Sequence, residues 1–419
     1  AGLYVHIPFC ASRCSYCAFY STTRLEQRQR YVDALSIDAI ESIDAIDTIA
    51  TIYLGGGTPS QLTTAQLELL FSYIYNRYKV SPDAEVTIEC NPDDVTPDYA
   101  AALSQLPVNR VSMGAQTFDD GRLQFLRRRH TAAQVSAAVE QLRKAGITNV
   151  SIDLMYGFPG ETLSSWQHDI DTALALAPGH LSAYCLTVEE GTPLHRMHID
   201  GADEETERQM YYTLKDRLEA AGYEHYEISN FARQGFRSRH NSSYWTDVPY
   251  IGLGAAAHSY DGLGRQWNPD DLTRYIKGVE NRRLDVERET LDAATRYNER
   301  IMLSLRTCEG IDLDGLTEQD RNYLQPAALR YINEGWLQQE GRRIRLTREG
   351  LFVSDMMMSD LLNKVDVRKE ARGIEEDGGI RYQFAGERGA AEADRAEGVT
   401  TRIEGLSVAN QMEADGKPA

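Results

Sequence analysis

A partial (β/α)6 barrel of parallel strands, followed by a smaller mixed, winged-helix-like module, is the fold the sequence predicts. Three observations predict it. Short apolar runs alternate six times with stretches of helical period before about residue 222. Glycine and polar residues recur where those apolar runs stop. From about residue 290 the pattern turns helical and then closes on two short segments around Gly341-Arg342.

Residues 2–9, GLYVHIPF, read as a buried strand, and Cys10, Cys14 and Cys17 follow directly at its end. About 25–47 reads as a helix, because Leu35, Ile40, Ile43 and Ile46 recur at helical spacing. A second strand at 51–54 runs into Gly55-Gly56-Gly57-Thr58-Pro59-Ser60, and a helix follows at about 63–78. The third strand, 85–90, ends at Asn91-Pro92 before a short helix at 97–105. The fourth, 110–116, precedes helices at about 119–128 and 131–145. The fifth, 149–155, leads into Tyr156-Gly157-Phe158-Pro159-Gly160 and a helix at about 163–176. The sixth, 180–188, is followed by a helix at about 204–221. Strands alternating with helices over short connections pair in parallel, with the helices outside. Six units fall short of the eight that close a full barrel, so an open, TIM-like partial barrel is expected, with its site at the strand C-termini. Those ends carry the cysteines, the glycine run, Glu89, Gln116 and Asp153.

The barrel is expected to span 1–222. An aromatic-rich connecting segment, 223–289, contains His240-Asn241-Ser242-Ser243-Tyr244-Trp245. The winged module is expected at 290–363. Its arginines Arg342, Arg343, Arg345 and Arg348 suit packing or interaction better than DNA in so acidic a chain, and Met356-Met357-Met358 reads as helix core. Residues 364–419 are rich in Glu, Arg, Ala and Gly and poor in large apolar residues, which predicts a mostly disordered tail.

The net charge of −19 argues against broad binding to nucleic acid or anionic membranes. No apolar run is long enough to cross a membrane, and no secretory leader is expected, so the cytoplasm is the predicted address. Six cysteines in 419 residues do not make a disulfide framework. Cys90, Cys185 and Cys308 stand apart and read as small buried residues.

The other three cysteines form C-x3-C-x2-C. Clustered thiolates suit zinc or an iron–sulfur cluster in a reducing compartment. A structural zinc needs four ligands, so it would require a distant residue to complete it. Three ligands on a four-iron cluster leave one iron open to a substrate's amine and carboxylate. A disulfide is the remaining alternative.

The motif C-x3-C-x2-C after a first strand resembles the radical S-adenosylmethionine superfamily. YVHIPFC, LGGGTPS, ECNP, GAQTF and DLMYGFPGET together resemble one branch of it, which holds the oxygen-independent coproporphyrinogen III dehydrogenases (oxidases) and the HemW heme chaperones. The resemblance covers about residues 2–362. It implies that Cys10, Cys14 and Cys17 ligate a [4Fe-4S] cluster whose open iron S-adenosylmethionine chelates. It implies cofactor contacts for Tyr4, Tyr16, Gly56, Gly57, Thr58, Glu89, Gln116, Arg128 and Asp153. Glycine suits the strip beside the methionyl group because backbone without a side chain approaches a ligand closely.

Two features separate the relatives. The dehydrogenase pattern has a further cysteine two residues after the third, whereas this chain has Phe19, as chaperones have an aromatic residue there. HNxxYW at 240–245 is also typical of the chaperone branch. An imidazole can be an axial heme ligand and aromatic faces can stack on a porphyrin. His240, Tyr244, Trp245 and His258 are therefore the candidate heme residues. The same residues also suit a packed core, with the aromatics as anchors and His240 as a hydrogen-bonding group.

The resemblance thus implies a heme chaperone on a radical S-adenosylmethionine scaffold, rather than a coproporphyrinogen III dehydrogenase or an interaction protein with a structural cluster. Its partners would be heme, acceptor heme proteins such as respiratory enzymes, and a reducing electron donor. No nucleic acid is expected, and a homodimer is compatible with the pattern.

Overall fold

The computed structural model describes residues 1–41, 48–199 and 201–362. Six strands and their helices alternate as the sequence predicts: β1 (Gly2–Ile7), α1 (Arg28–Glu41), β2 (Ile49–Gly56), α2 (Thr64–Arg77), β3 (Val80–Cys90), α3 (Pro97–Leu103), β4 (Arg110–Gln116), α4 (Asp120–Phe125), α5 (Ala132–Lys144), β5 (Asn149–Tyr156), α6 (Leu163–Ala175), β6 (His180–Cys185) and α7 (Glu204–Ala220). Each of β1 to β5 pairs in parallel with the next. Helix starts are set by short polar side chains. Thr63, Thr96, Asp119, Thr162 and Asp203 each accept a backbone N–H of the first turn. The part of the first helix around Ile43 and Ile46, and the expected tail at 364–419, lie outside the described residues.

Alternation along the strands splits their side chains into two sets. Leu3, Val5, Ile7, Ile52, Leu54, Val86, Ile88, Val111, Val150 and Ile152 are fully buried against the helices, where Leu67, Leu70, Ile74, Val135, Leu142, Trp166 and Ile170 meet them. The opposite set faces the barrel interior and is polar: Tyr4, His6, Thr51, Glu85, Thr87, Arg110, Ser112, Ser151, His180 and Ser182 are all buried.

The segment at 223–289 does more than connect. It contains β7 (Glu224–Glu227), β8 (Asn230–Ala232), α8 (Arg239–Tyr244), β9 (Tyr250–Leu253), β10 (His258–Tyr260), β11 (Gly264–Trp267), α9 (Leu272–Glu280) and β12 (Glu287–Thr290). These strands extend the sheet at both ends, in the order β12-β11-β10-β9-β1-β2-β3-β4-β5-β6-β8-β7. β9 joins β1 in parallel, and β8 joins β6 antiparallel. Runs of three or four residues such as NFA and YIGL carry too little period to declare themselves, and only the free edges of β1 and β6 define them as strands.

Helix α8 packs at the N-terminal ends of β1 to β3. The Glu85 carboxylate accepts the backbone N–H groups of Arg239 and His240, both at 3.0 Å. His240 then fills the barrel floor. Its Nδ1 bonds Thr51 Oγ1 at 2.8 Å, its Nε2 bonds the Tyr244 hydroxyl at 2.8 Å, and its ring stacks on Tyr53.

The last part of the chain has its own apolar core, built from α10 (Ala293–Leu305), β13 (Ile311–Asp312), α11 (Glu318–Asn333), β14 (Leu337–Glu340), β15 (Arg343–Leu346), α12 (Arg348–Leu351) and α13 (Ser354–Leu361). Met357 and Met358 are buried in it, while Met356 is exposed. β14 and β15 form a hairpin with Gly341-Arg342 at its turn. Gly341 has φ +59°, which favours glycine there. The wing arginines are paired with carboxylates: Arg342 and Arg343 with Asp312, Arg345 with Glu340, and Arg348 with Asp216 of α7. A buried Arg306–Glu227 pair at 2.6 Å ties this module to β7.

Burial holds His240 neutral, pushing its pKa down to about 3, with Arg110 adding to the shift. His6 is pushed down to about 4 by burial. An unfolded imidazole takes up a proton below about pH 6.5, so the unfolded state gains protons that the folded state refuses, and stability falls with pH below that value. His240→Gln should flatten the loss between about pH 7 and pH 5 by about 2 kcal/mol, read from urea midpoints. An unchanged slope would contradict this account.

Candidate functional site

The C-terminal ends of β1 to β6 open onto a cavity of about 270 Å3. The loop after β1 forms one wall, and Cys10, Cys14 and Cys17 all line it. The loop is pinned at several points. Cys10 N donates to Thr22 O at 2.9 Å, and Ser15, fully buried, donates from its N and Oγ to Leu126 O and Phe125 O at the end of α4. Leu194 N donates to Ser15 O at 2.8 Å, so the segment after β6 braces the same loop.

The thiols are not isolated. Cys10 Sγ lies 3.4 Å from Thr58 Oγ1, and Arg128 Nη1 lies 3.5 Å from Cys14 Sγ. Burial pushes the Cys10 thiol up and the Cys17 thiol up to about 12. Thiols so placed become thiolates beside the charge of a metal. Among the described residues no three His, Cys, Asp or Glu side chains converge as they would on a single metal ion. Three cysteines lining one cavity supply the three thiolates that an iron–sulfur cluster with one open iron takes, one fewer than the ligands of a structural zinc.

The second wall is the glycine run after β2. Gly57 passes so close to the first strand's end that a Cβ would lie 2.7 Å from the Pro8 carbonyl carbon. Gly56 has φ +106°, and a Cβ there would collide with the His6 ring. Only glycine lets β2 leave the sheet here and present backbone to the cavity. The Gly56 N–H donates to Glu89 Oε2 at 3.2 Å, and the Tyr53 hydroxyl donates to Glu89 Oε1 at 2.8 Å, which fixes that carboxylate at the end of β3.

Gln116 ends β4 with φ +68°, where the pairing with β5 shifts register. Arg127, φ +58°, precedes Arg128. Such left-handed non-glycine backbone is held only where surroundings over-determine it. Here Arg128 Nη2 donates to Asn91 Oδ1 at 2.6 Å and to Gly114 O at 2.7 Å. Asp153 on β5 accepts from Ser112 and Ser151. Burial pushes its carboxyl up, against Arg110, Ser182, Ser112 and Ser151, which all pull it down.

Of the sequence-predicted cofactor residues, Tyr16, Gly56, Gly57, Thr58, Glu89, Gln116, Arg128 and Asp153 line the cavity. Tyr4 does not. It is buried behind Tyr53, with its hydroxyl on His6 Nδ1 at 3.1 Å, because its position in β1 lies one inward step below His6 and well short of the strand's end. Nor does the structure gather the candidate heme residues. Both ring nitrogens of His240 are hydrogen-bonded, Tyr244 sits edge-on to Tyr250, and Trp245 packs on Leu303 beneath the Arg306 guanidinium. His258 stacks on Trp267 at the far side of β9. In this arrangement His240 offers no ring nitrogen to an iron, and its role is that of a floor plug. From the HNxxYW motif it is Asn241 that lines the cavity.

Sequence reasoning missed Tyr53, Asn91, Arg110, Ser112 and Ser182, all of which line the cavity. The signal was present. Arg110, Ser112 and Gly114 alternate with Val111 and Met113, so β4 has one polar face that could only look inward.

The glycine wall is testable. Gly56→Ala should lower stability by about 2 kcal/mol or more in urea unfolding, through positive φ and the His6 contact. Gly315→Ala, where a Cβ meets nothing within 4 Å, should change stability by less than about 0.5 kcal/mol.

Comparison with known proteins gives two family matches, the radical SAM superfamily at residues 4–173 and the HemN C-terminal domain at residues 291–353. The chain is 34% identical over 378 residues to the heme chaperone HemW of Bacillus subtilis (strain 168), covering 86% of this chain and 99% of that one. It is 30% identical over 371 residues to the heme chaperone HemW of Escherichia coli (strain K12), covering 85% and 97%. Its fold matches the structure of coproporphyrinogen III oxidase (HemN) from Escherichia coli, a radical SAM enzyme, with a TM-score of 0.77 over 87% of this chain and 90% of that one, at 21% identity.

Proposed function

The chain belongs to the heme chaperone HemW family of radical SAM proteins, and from that premise we propose that it binds heme and delivers it to acceptor heme proteins. The scaffold for this is the barrel with its [4Fe-4S] cluster and S-adenosylmethionine. The observation that carries the reading is Phe19. It stands two residues after Cys17, where a decarboxylating relative would carry a further cysteine, and it lines the cavity.

In this reading Cys10, Cys14 and Cys17 hold the cluster, which when bound supplies the electron that cleaves a sulfonium cofactor. The chain's own residues bind and orient. Gly56 and Gly57 admit the methionyl group against bare backbone. Glu89, already fixed by Tyr53 and Gly56, accepts from the ligand's amine or ribose. Arg128, held by Asn91 and Gly114, stands beside Cys14, where it meets a carboxylate. Asp153 accepts ribose hydroxyls from below, and Gln116 and Tyr16 close the sides. We assign His240 and Tyr244 to the floor of the barrel and Trp245 to packing against the C-terminal module, and we keep His258 as the heme ligand to be tested. A reducing electron donor and a cytoplasmic setting complete the proposal. Among the described residues no helix is long and apolar enough to cross a membrane. The units 1–222, 223–289 and 290–363 serve as barrel, edge-building segment and docking module.

Titration of the cluster-loaded protein with heme should give a shifted Soret band that saturates near one heme per chain. No shift at stoichiometric heme would overturn the proposal. His240→Ala should keep the shift while losing stability, and His258→Ala should lose it. An anaerobic assay with reduced protein and coproporphyrinogen III should yield no protoporphyrinogen; formation of that product would favour the dehydrogenase reading instead.

A further inference from the structure

Arg110 is the residue that the proposed function does not yet use. It is 1% exposed, yet Nε and Nη1 have no hydrogen-bond partner, and among the described residues no carboxylate lies within ion-pair distance. It lines the cavity from below. Thr87 and Asn149, its register neighbours on β3 and β5, also bear unpartnered buried oxygens. A buried guanidinium without a partner is destabilising by itself, so its presence calls for a reason.

The charges around it supply one. Glu85 is committed to capping α8. His180 is fixed between Ser151 and Tyr226, His240 between Thr51 and Tyr244, and both are held neutral by burial, with Arg110 contributing. Tyr53 donates to Glu89. Arg128, higher up, is occupied by Asn91, Gly114 and Cys14. Arg110 is therefore the cation available to Asp153 and Glu89 in the deep interior. Three carboxylates against one deep guanidinium leave the interior net negative, which repels an anionic ligand and rules against an anion site here.

We propose that Arg110 is a positioning residue that keeps Asp153 as the carboxylate, so that Asp153 accepts hydroxyl groups of a ribose-bearing sulfonium cofactor. This rests on the reading above that Asp153 contacts that cofactor. The division of labour is physical. The serines Ser112, Ser151 and Ser182 orient the carboxylate by hydrogen bonds, and Arg110 supplies charge without competing for its oxygens. A guanidinium in direct contact would occupy the acceptor sites that the ribose needs.

The test is the pH dependence of S-adenosylmethionine affinity in the cluster-loaded full chain, measured anaerobically by calorimetry at about pH 6 and about pH 8. Relative to the parent, Arg110→Met should bind about tenfold more weakly at pH 6 and lose less at pH 8, because burial without Arg110 favours the protonated Asp153 carboxyl and rising pH opposes it. Arg110→Lys should restore the parent profile. Asp153→Asn should bind weakly at both pH values, and adding Arg110→Met to it should introduce no new pH dependence, which separates Asp153 from His180 and His240. Parent-like pH dependence in Arg110→Met, or new pH dependence in the double variant, would overturn the inference. Failure of the parent itself to bind S-adenosylmethionine would remove the cofactor reading and this inference with it.

Discussion

A barrel whose inward face is polar must satisfy each of its buried polar groups from within, and most of this structure follows from that constraint. The outward face of the six strands is an ordinary apolar layer under helices. The inward face carries carboxylates, imidazoles, serines and a guanidinium. Burying such groups unpaired would cost about 1–3 kcal/mol each. The chain meets the requirement with specific partners: Glu85 takes the first N–H groups of α8, His240 bridges Thr51 and Tyr244, and His180 bridges Ser151 and Tyr226. The groups left without such partners sit below the cavity, where Arg110, Thr87 and Asn149 share one level of the barrel.

The same constraint explains how the cavity is held open. Its polar side chains are tethered to one another and to backbone groups. Glu89 is fixed by Tyr53 and the Gly56 N–H, and Arg128 by Asn91 and a backbone carbonyl. Preorganised groups of this kind do not have to be ordered when a ligand arrives. The local backbone strain at Gln116 and Arg127 lies next to these residues, and the surrounding sheet and helix ends are rigid enough to sustain it. The wing arginines illustrate the converse case. Each is neutralised by a neighbouring carboxylate, so the C-terminal module offers packing and contact surface with no basic face in its wing.

HNxxYW shows where motif chemistry and burial part company. Imidazole, phenol and indole on one short segment suit a heme site by type. In the folded chain they point to different tasks: His240 into the barrel floor, Tyr244 towards Tyr250, and Trp245 under Arg306. His240 and Tyr244, four residues apart on one helix face, bond each other, while Trp245 just past the helix packs elsewhere, on Leu303. Tyr4 is a smaller instance. It belongs to the first motif of the chain, yet it stacks behind Tyr53 rather than lining the cavity itself.

The sequence by itself determined the six strand–helix units, the three-cysteine loop at the first strand end, and the set of strand-end residues from Gly56 to Asp153. Those features are local: apolar period declares the strands and helices, and cysteine spacing and glycine runs are legible as strings. The tertiary structure alone decided three further matters. It assigned β7 to β12 to the two edges of the sheet, because strands of three or four residues exist only where an edge accepts them. It turned His240 into a plug, because whether an imidazole has a free nitrogen depends on residues 189 positions away, such as Thr51. It placed Arg110 beneath Asp153, because the charge a buried carboxylate feels is set by which strands are neighbours, and that is a property of pairing rather than of spacing along the chain.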